Sequence, residues 1–269
     1  SAINAWETGL WSISNTTHPT IMTTITLALM MKLGVAPMHA WYTEVIHGST
    51  LLTALIISTW QKLAPLALLY TTHNHIPTKL VLLLGFMSAL VGGLMGLNQT
   101  QTRKIMAFSS IAHMGWLIVA LTLEQNLTII TLTIYIIMTT TMFLALNTTT
   151  TKTLTDMGTT WTQSPMLTTL TLMTLLSLGG LPPLTGFTPK WLILNNLCTN
   201  NLTTLSISLA LTSLPSLYFY VRMAYLTTLT VPPNTLNTEY KWRLMKSPGP
   251  VLPLTTTMTA MLLPMMPAL

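Results

Sequence analysis

Three lysines stand where charge is most costly. Lys32 sits next to the end of the apolar run Thr20 to Leu33, Lys62 is central in Thr59-Trp60-Gln61-Lys62-Leu63-Ala64-Pro65, and Lys190 follows Pro189 in a third apolar segment. Burial disfavours the charged form of an amine, so neighbouring charges decide whether it holds a proton. Moving one charge through 100 mV requires about 2.3 kcal/mol. A swing of roughly two pKa units supplies that much. Arginine stays protonated and could not serve in this way. Lysines so placed suit a proton path. The plainer alternative makes each a static partner of a carboxylate, or of carbonyls freed at a helix break.

Two histidines could assist. His39 lies seven residues after Lys32, two helical turns on, and His113 is mid-span in Ser109-Ser110-Ile111-Ala112-His113-Met114-Gly115-Trp116. Imidazole titrates near neutral pH and can relay a proton, although an interhelical hydrogen bond explains either residue equally well. His18, His47, His73 and His75 fall in links or at interfaces, and Cys198 is the only cysteine. No metal centre is expected from such ligands.

These residues need helices to hold them in lipid. Of 269 residues 50% are hydrophobic and only 6% charged, against about a quarter charged in a soluble chain. Low hydropathy with high charge, the signature of disorder, is absent. A helix needs about 20 apolar residues to cross the bilayer. That ruler places roughly eight spans at 20–46, 50–70, 80–97, 104–122, 127–147, 165–198, 201–229 and 250–269. The expected fold is an all-α polytopic membrane helix bundle, a single transmembrane domain over 1–269. Thr and Leu each make up roughly a fifth of the chain. Threonine is tolerable in lipid because its hydroxyl can bond a carbonyl of its own helix.

Two spans are too long and interrupted, by Gly34-Val35-Ala36-Pro37 and by GGLPPLTGF from Gly179 to Phe187. Proline and glycine both weaken a helix. Irregular backbone at that depth survives only where protein or a polar cavity satisfies it, and paired broken helices mark ion sites in transporters. Links 98–104, 148–164 and 230–249 share one face and hold Arg103, Lys104, Lys152, Lys241, Arg243 and Lys246, while Lys79 is the one clear loop base opposite. The positive-inside rule puts the basic face in the cytoplasm or matrix and the C-terminus across the membrane. The formal charge of +6 is scattered, so it reads as topology and not as a nucleic-acid surface. Asn-x-Thr matches are expected by chance at this Thr content, and no phosphate-binding loop is present. Met and aromatic residues are read as lipid-facing or packing, with Trp6, Trp11, Trp41 and Trp161 near interfaces.

MKLGVAPMHAW (Met31 to Trp41), TWQKLAP (Thr59 to Pro65), GLNQTQTRKIMAFSSIAHMGW (Gly96 to Trp116) and LSLGGLPPLTGFTPKW (Leu176 to Trp191) resemble the subunit 2 family of NADH dehydrogenase. These are antiporter-like membrane subunits of respiratory complex I, here of a vertebrate mitochondrial kind. The resemblance runs from about Ala5 to the C-terminus. It implies inverted repeats with two discontinuous helices, and proton translocation coupled to electron transfer from NADH to ubiquinone. It matches Lys32, Lys62 and Lys190 to the family's proton-path lysines and His39 to its accessory histidine. It implies no cofactor bound by this chain, with NADH and ubiquinone used elsewhere in the complex. It also implies partners among other membrane-arm subunits, and residence in the mitochondrial inner membrane with the C-terminus toward the intermembrane space. The family's glutamate, carried on an earlier helix and paired with the first lysine, has no match here, so an N-terminally truncated sequence is expected. An Mrp-type cation/proton antiporter and a non-pumping structural subunit are the rival readings.

Overall fold

A computed structural model describes residues 5–6, 9, 19–158, 160, 165–228 and 251–261. Its elements are α1 (Pro19–Leu33), α2 (Ala40–Gly48), α3 (Leu51–Thr71), a 3-10 turn (His73–His75), α4 (Thr78–Leu97) and α5 (Thr102–Leu123). They continue with α6 (Gln125–Thr149), α7 (Leu154–Met157), α8 (Pro165–Gly179), α9 (Phe187–Thr199), α10 (Thr203–Thr228) and α11 (Val251–Met261). Among the described residues the only β feature is an isolated antiparallel bridge between Gln101 and Thr153.

The threonine-rich composition is absorbed by the helices themselves. Thr26 Oγ1 donates to the Thr23 carbonyl at 2.8 Å, Thr139 Oγ1 to Tyr135 at 2.8 Å, and Thr174 Oγ1 to Thr171 at 2.8 Å. A hydroxyl satisfied within its own helix imposes little penalty in hydrocarbon. Large apolar side chains such as Trp60, 73% exposed, line the outside.

α3, α4, α5, α6 and α10 are each long and apolar enough to cross a membrane. The chain is thus a multi-pass, all-helical membrane protein. The expected spans 20–46 and 165–198 each appear as two shorter helices, α1 with α2 and α8 with α9. Both α1 and α8 end in the same way. Gly34 N–H donates to Met31 O and Val35 N–H to Met30 O, both at 3.1 Å, while Gly180 N–H donates to Ser177 O at 2.9 Å and Leu181 N–H to Leu176 O at 3.4 Å. This is the paired closure in which a left-handed residue ends a helix. Gly34 has φ +73° and Gly180 φ +80°, a region that glycine enters without strain. Of the span expected at 250–269, α11 is described, and residues 262–269, like Trp11 and Trp161, lie outside the described residues.

α5 is the axis, packed against α2, α3, α4, α6 and α9. Its closest partner is α4, where small residues let the backbones meet. A Cβ on Gly92 would fall 2.6 Å from the Ala112 nitrogen, and one on Gly115 2.5 Å from Ser88 Oγ. Close approach through small residues is how helices associate where lipid removes the hydrophobic driving force.

The links meet as the parity of the spans requires. Thr102 N–H donates to Lys152 O at 3.1 Å, Leu154 N–H to Thr100 O at 3.0 Å, and Arg103 Nη1 to Ser49 O at 2.6 Å. Links 98–104 and 148–158 therefore share one end of the bundle. The third expected basic link, 230–249, lies outside the described residues. Arg222 is half-buried and donates to the Leu97 carbonyl at 3.0 Å at that same end.

Candidate functional site

Lys62 lies at the middle of α3 and is 2% exposed. Its Nζ donates to Tyr135 Oη on α6 at 3.1 Å and sits 4.7 Å and 5.1 Å from the ring centres of Tyr42 and Tyr135. Among the described residues no carboxylate pairs with it. The contacts bear on the cost of burying the side chain. An embedded lysine costs about 2.5–3.5 kcal/mol on the insertion scale. A desolvated cation–π contact returns about 2 kcal/mol, and a hydrogen bond to a charged group about 1.5–3 kcal/mol. These contacts offset much of the cost of holding the side chain there.

Hydroxyls extend the site inward. Tyr135 Oη donates to the Ser58 carbonyl at 3.0 Å, and Ser110 Oγ on α5 donates to Tyr42 Oη at 2.8 Å. His113 stacks obliquely on Tyr135, ring centres 5.9 Å apart, and its Nε2 is 3.3 Å from Tyr220 Oη on α10. A cavity of about 20 Å³, lined by Tyr135, His113, Thr131, Gly186 and Lys190 among others, lies between Tyr135, His113 and Lys190. That is room for about one water.

Lys190 closes the far end. It lies in the first turn of α9, and its Nζ reaches back to the Gly179 carbonyl at 3.0 Å. A helix ending inside the bundle leaves orphan carbonyls and the negative end of its dipole. Lys190 supplies both the donor and the charge. Gly186 makes the turn possible, because a Cβ there would collide with the Ser177 carbonyl.

Lys62, His113 and Lys190 thus come together through Tyr135. Lys32 and His39 do not join them. Lys32 is exposed on the described surface, in an open pocket of about 310 Å³ beside Trp41, Gln61 and Pro65. His39 was expected two helical turns along from Lys32, but α1 ends at Leu33, so the two share no helix face. His39 Nδ1 lies 3.2 Å from the Pro37 carbonyl, and its ring meets the edge of Phe108. Trp41 spans the first break, donating from Nε1 to the Met31 carbonyl at 3.0 Å. The reading of the aromatics as lipid-facing or packing misses Tyr42, Tyr135 and Tyr220, which are buried and hydrogen bonded. A phenol among apolar residues in mid-span, needing a partner, was the available signal.

Comparison with known proteins decides the family. Residues 7–215 match the model of the NADH:quinone oxidoreductase/Mrp antiporter transmembrane family, and residues 217–269 match the NADH dehydrogenase subunit 2 C-terminus. NADH-ubiquinone oxidoreductase chain 2 of Xenopus laevis is 51% identical over 98% of this chain and 77% of its own length. The chain belongs to the NADH-ubiquinone oxidoreductase chain 2 family. The Cyprinus carpio chain 2 is 52% identical over 100% of this chain and 78% of its own. Among solved structures, a chain of respiratory complex I from Thermus thermophilus superposes with a TM-score of 0.79 at 26% identity. It covers 93% of this chain, which in turn spans 58% of the Thermus chain. A chain of the Mrp complex from Dietzia sp. shares the fold, with a TM-score of 0.73 at 14% identity over 90% of this chain and 56% of its own. The architecture of this chain 2 family member is therefore antiporter-like.

Proposed function

We propose that this chain is a core membrane subunit of respiratory complex I and moves protons while other subunits pass electrons from NADH to ubiquinone. Residues 1–269 form one transmembrane domain of about eight spans. In this reading α1 with α2 and α8 with α9 are two discontinuous helices. Lys62 and Lys190 are stations on the path, with His113 as relay between them. Lys32 is an outer station that meets neighbouring helices of the membrane arm, and His39 lies apart from it, against Phe108. No cofactor is assigned to the chain. The setting is the mitochondrial inner membrane, with links 98–104 and 148–164 toward the matrix and the C-terminus toward the intermembrane space.

One observation carries the proposal. Lys62 is buried in mid-membrane with no carboxylate bound to it among the described residues, and it is connected through Tyr135 to a cavity shared with His113 and Lys190. A cation/proton antiporter would normally add a carboxylate at this depth, which disfavours that alternative. A static role has one observation in its favour, the Lys190 bond to the Gly179 carbonyl. The two roles separate in assembled complex carrying Lys62→Met and reconstituted into vesicles. Proton translocation requires fewer protons taken up per NADH than in wild type. Normal assembly with an unchanged ratio would leave Lys62 a structural residue.

A further inference from the structure

Tyr135 is bonded to Lys62 and lines the cavity that His113 and Lys190 also line, and its hydrogen bonds have direction. Its oxygen accepts from Lys62 Nζ, while its own proton goes to the Ser58 carbonyl at 3.0 Å. Ser58 lies one turn before Lys62 on α3. The phenolic proton therefore points back into the helix that carries Lys62, although the ring lines the cavity shared with His113 and Lys190. A hydroxyl has a single proton to donate. While it rests on Ser58, the route from Lys62 to the cavity is open up to the Tyr135 oxygen and interrupted beyond it.

We propose that Tyr135 is a proton gate, closed when its hydroxyl donates to the Ser58 carbonyl and open when the same hydroxyl turns into the cavity. The inference rests on the proton path proposed above. Turning requires rotation about the ring C–O bond and no movement of the ring. In the open state the Lys62 ammonium gives a proton to the Tyr135 oxygen as the original hydroxyl proton leaves. That proton passes to the His113 imidazole, directly or through one water. One O–H bond forms and one breaks on the same oxygen, so the phenol ends neutral. Lys62 becomes a neutral amine, His113 becomes an imidazolium, and one positive charge has moved toward Lys190. The Ser58 carbonyl competes for the hydroxyl, so the gate rests closed and a change of field near Lys62 opens it.

The test is Tyr135→Phe in assembled complex, reconstituted into vesicles beside Lys62→Met. The substitution removes the oxygen and keeps the ring against Lys62 and His113. Proton uptake is normalised to NADH oxidised, so a slower turnover of the coupled complex does not mimic the effect. Protons taken up per NADH should fall as far as in Lys62→Met, with no further fall in the double variant. A fall in Lys62→Met with a wild-type ratio in Tyr135→Phe overturns the gate and leaves the path standing. A wild-type ratio in Lys62→Met removes the path and the gate together. Should Tyr135→Phe not assemble, 3,5-difluorotyrosine at position 135 keeps the shape and makes the phenol more acidic. An unchanged rate of proton uptake per turnover there overturns the gate, and a change of about twofold or more supports it.

Discussion

Lys62 shows why residue identity matters more at this site than charge alone. Two ring faces and one phenol surround its ammonium, and these ligands stabilise a cation without fixing it as a carboxylate would. Arginine at 62 would keep the charge and lose the ability to release a proton. Lys62→Arg is therefore expected to assemble and to pump as poorly as Lys62→Met, checked by protons per NADH in vesicles. Wild-type pumping in Lys62→Arg would mean that only the charge is needed. At the basic end of the bundle, Thr153 and Asp156 form a reciprocal cap on α7, with Thr153 N–H donating to Asp156 Oδ2 at 2.9 Å. Burial tends to raise the Asp156 carboxyl, but hydrogen bonds from the Thr153 backbone and side chain and the Lys152 backbone outweigh it and hold it below its ordinary value. Its contribution is thus complete above the unfolded value of about 4 and fades as pH falls through the lower folded value. Asp156→Ala is expected to cost about 0.5–2 kcal/mol at neutral pH. The thermal midpoint of the variant, compared with wild type at pH 7 and again near the acid limit, checks both the size and the fade.

At the scale of the element, the two broken helices depend on glycine in different ways from the unbroken pair beside them. Gly180 adopts φ +80°, and a Cβ there would stand 2.9 Å from Lys190 Nζ. Gly180→Ala is expected to cost about 1–3 kcal/mol in backbone strain and to push Lys190 from the Gly179 carbonyl. Thermal inactivation of the complex reads the first effect. The second is read by proton uptake per NADH, which strain alone would leave unchanged in the molecules that survive. Gly92 has an ordinary helical backbone and is constrained by its neighbour, since α4 and α5 touch there through Ala112. A Cβ on the adjacent Gly93 would lie 3.2 Å from Pro215 Cβ and 3.3 Å from the Thr212 carbonyl oxygen, tight but well short of the Gly92 clash. Gly92→Ala should therefore lower the recovery of folded complex more than Gly93→Ala does. Equal recovery would contradict the close packing of α4 on α5.

For the whole molecule, the arrangement separates a sealed interior from an apolar exterior that needs lipid or neighbouring subunits. Exposed Lys32 and buried Lys62 fall on opposite sides of that boundary. Only the second has its surroundings completed within the described chain. The ends of the bundle are also distinct, with Lys152 exposed at one and Lys79 at the other. A membrane-impermeant amine reagent should reach Lys152 only from the matrix side of sealed vesicles and Lys79 only from the other. Labelling of both from one side would break the proposed parity of the spans.

The long apolar helices, the two interruptions and the sharing of one end by links 98–104 and 148–158 were legible in the order of residues, whereas the short α7 inside the second link was not. Each follows from local quantities: the length of an apolar run, the position of a proline or glycine, and alternation through a bilayer. Lys62 and Lys190 were legible as candidates for the same reason, since a charge inside an apolar run stands out whatever it touches. What those lysines touch was not legible. Gln61 and Lys62 are adjacent and about 100° apart around α3, one facing the open pocket with Lys32 and the other buried against Tyr42 and Tyr135. The partner of Lys62 lies 73 residues away, and that of His113 lies 107 residues away. Such pairs depend on how helices rotate and pack against α5, which is decided by the summed contacts of the bundle and not by any one segment. The sequence determined that charge would be buried in lipid. The tertiary structure decided that phenols would hold it.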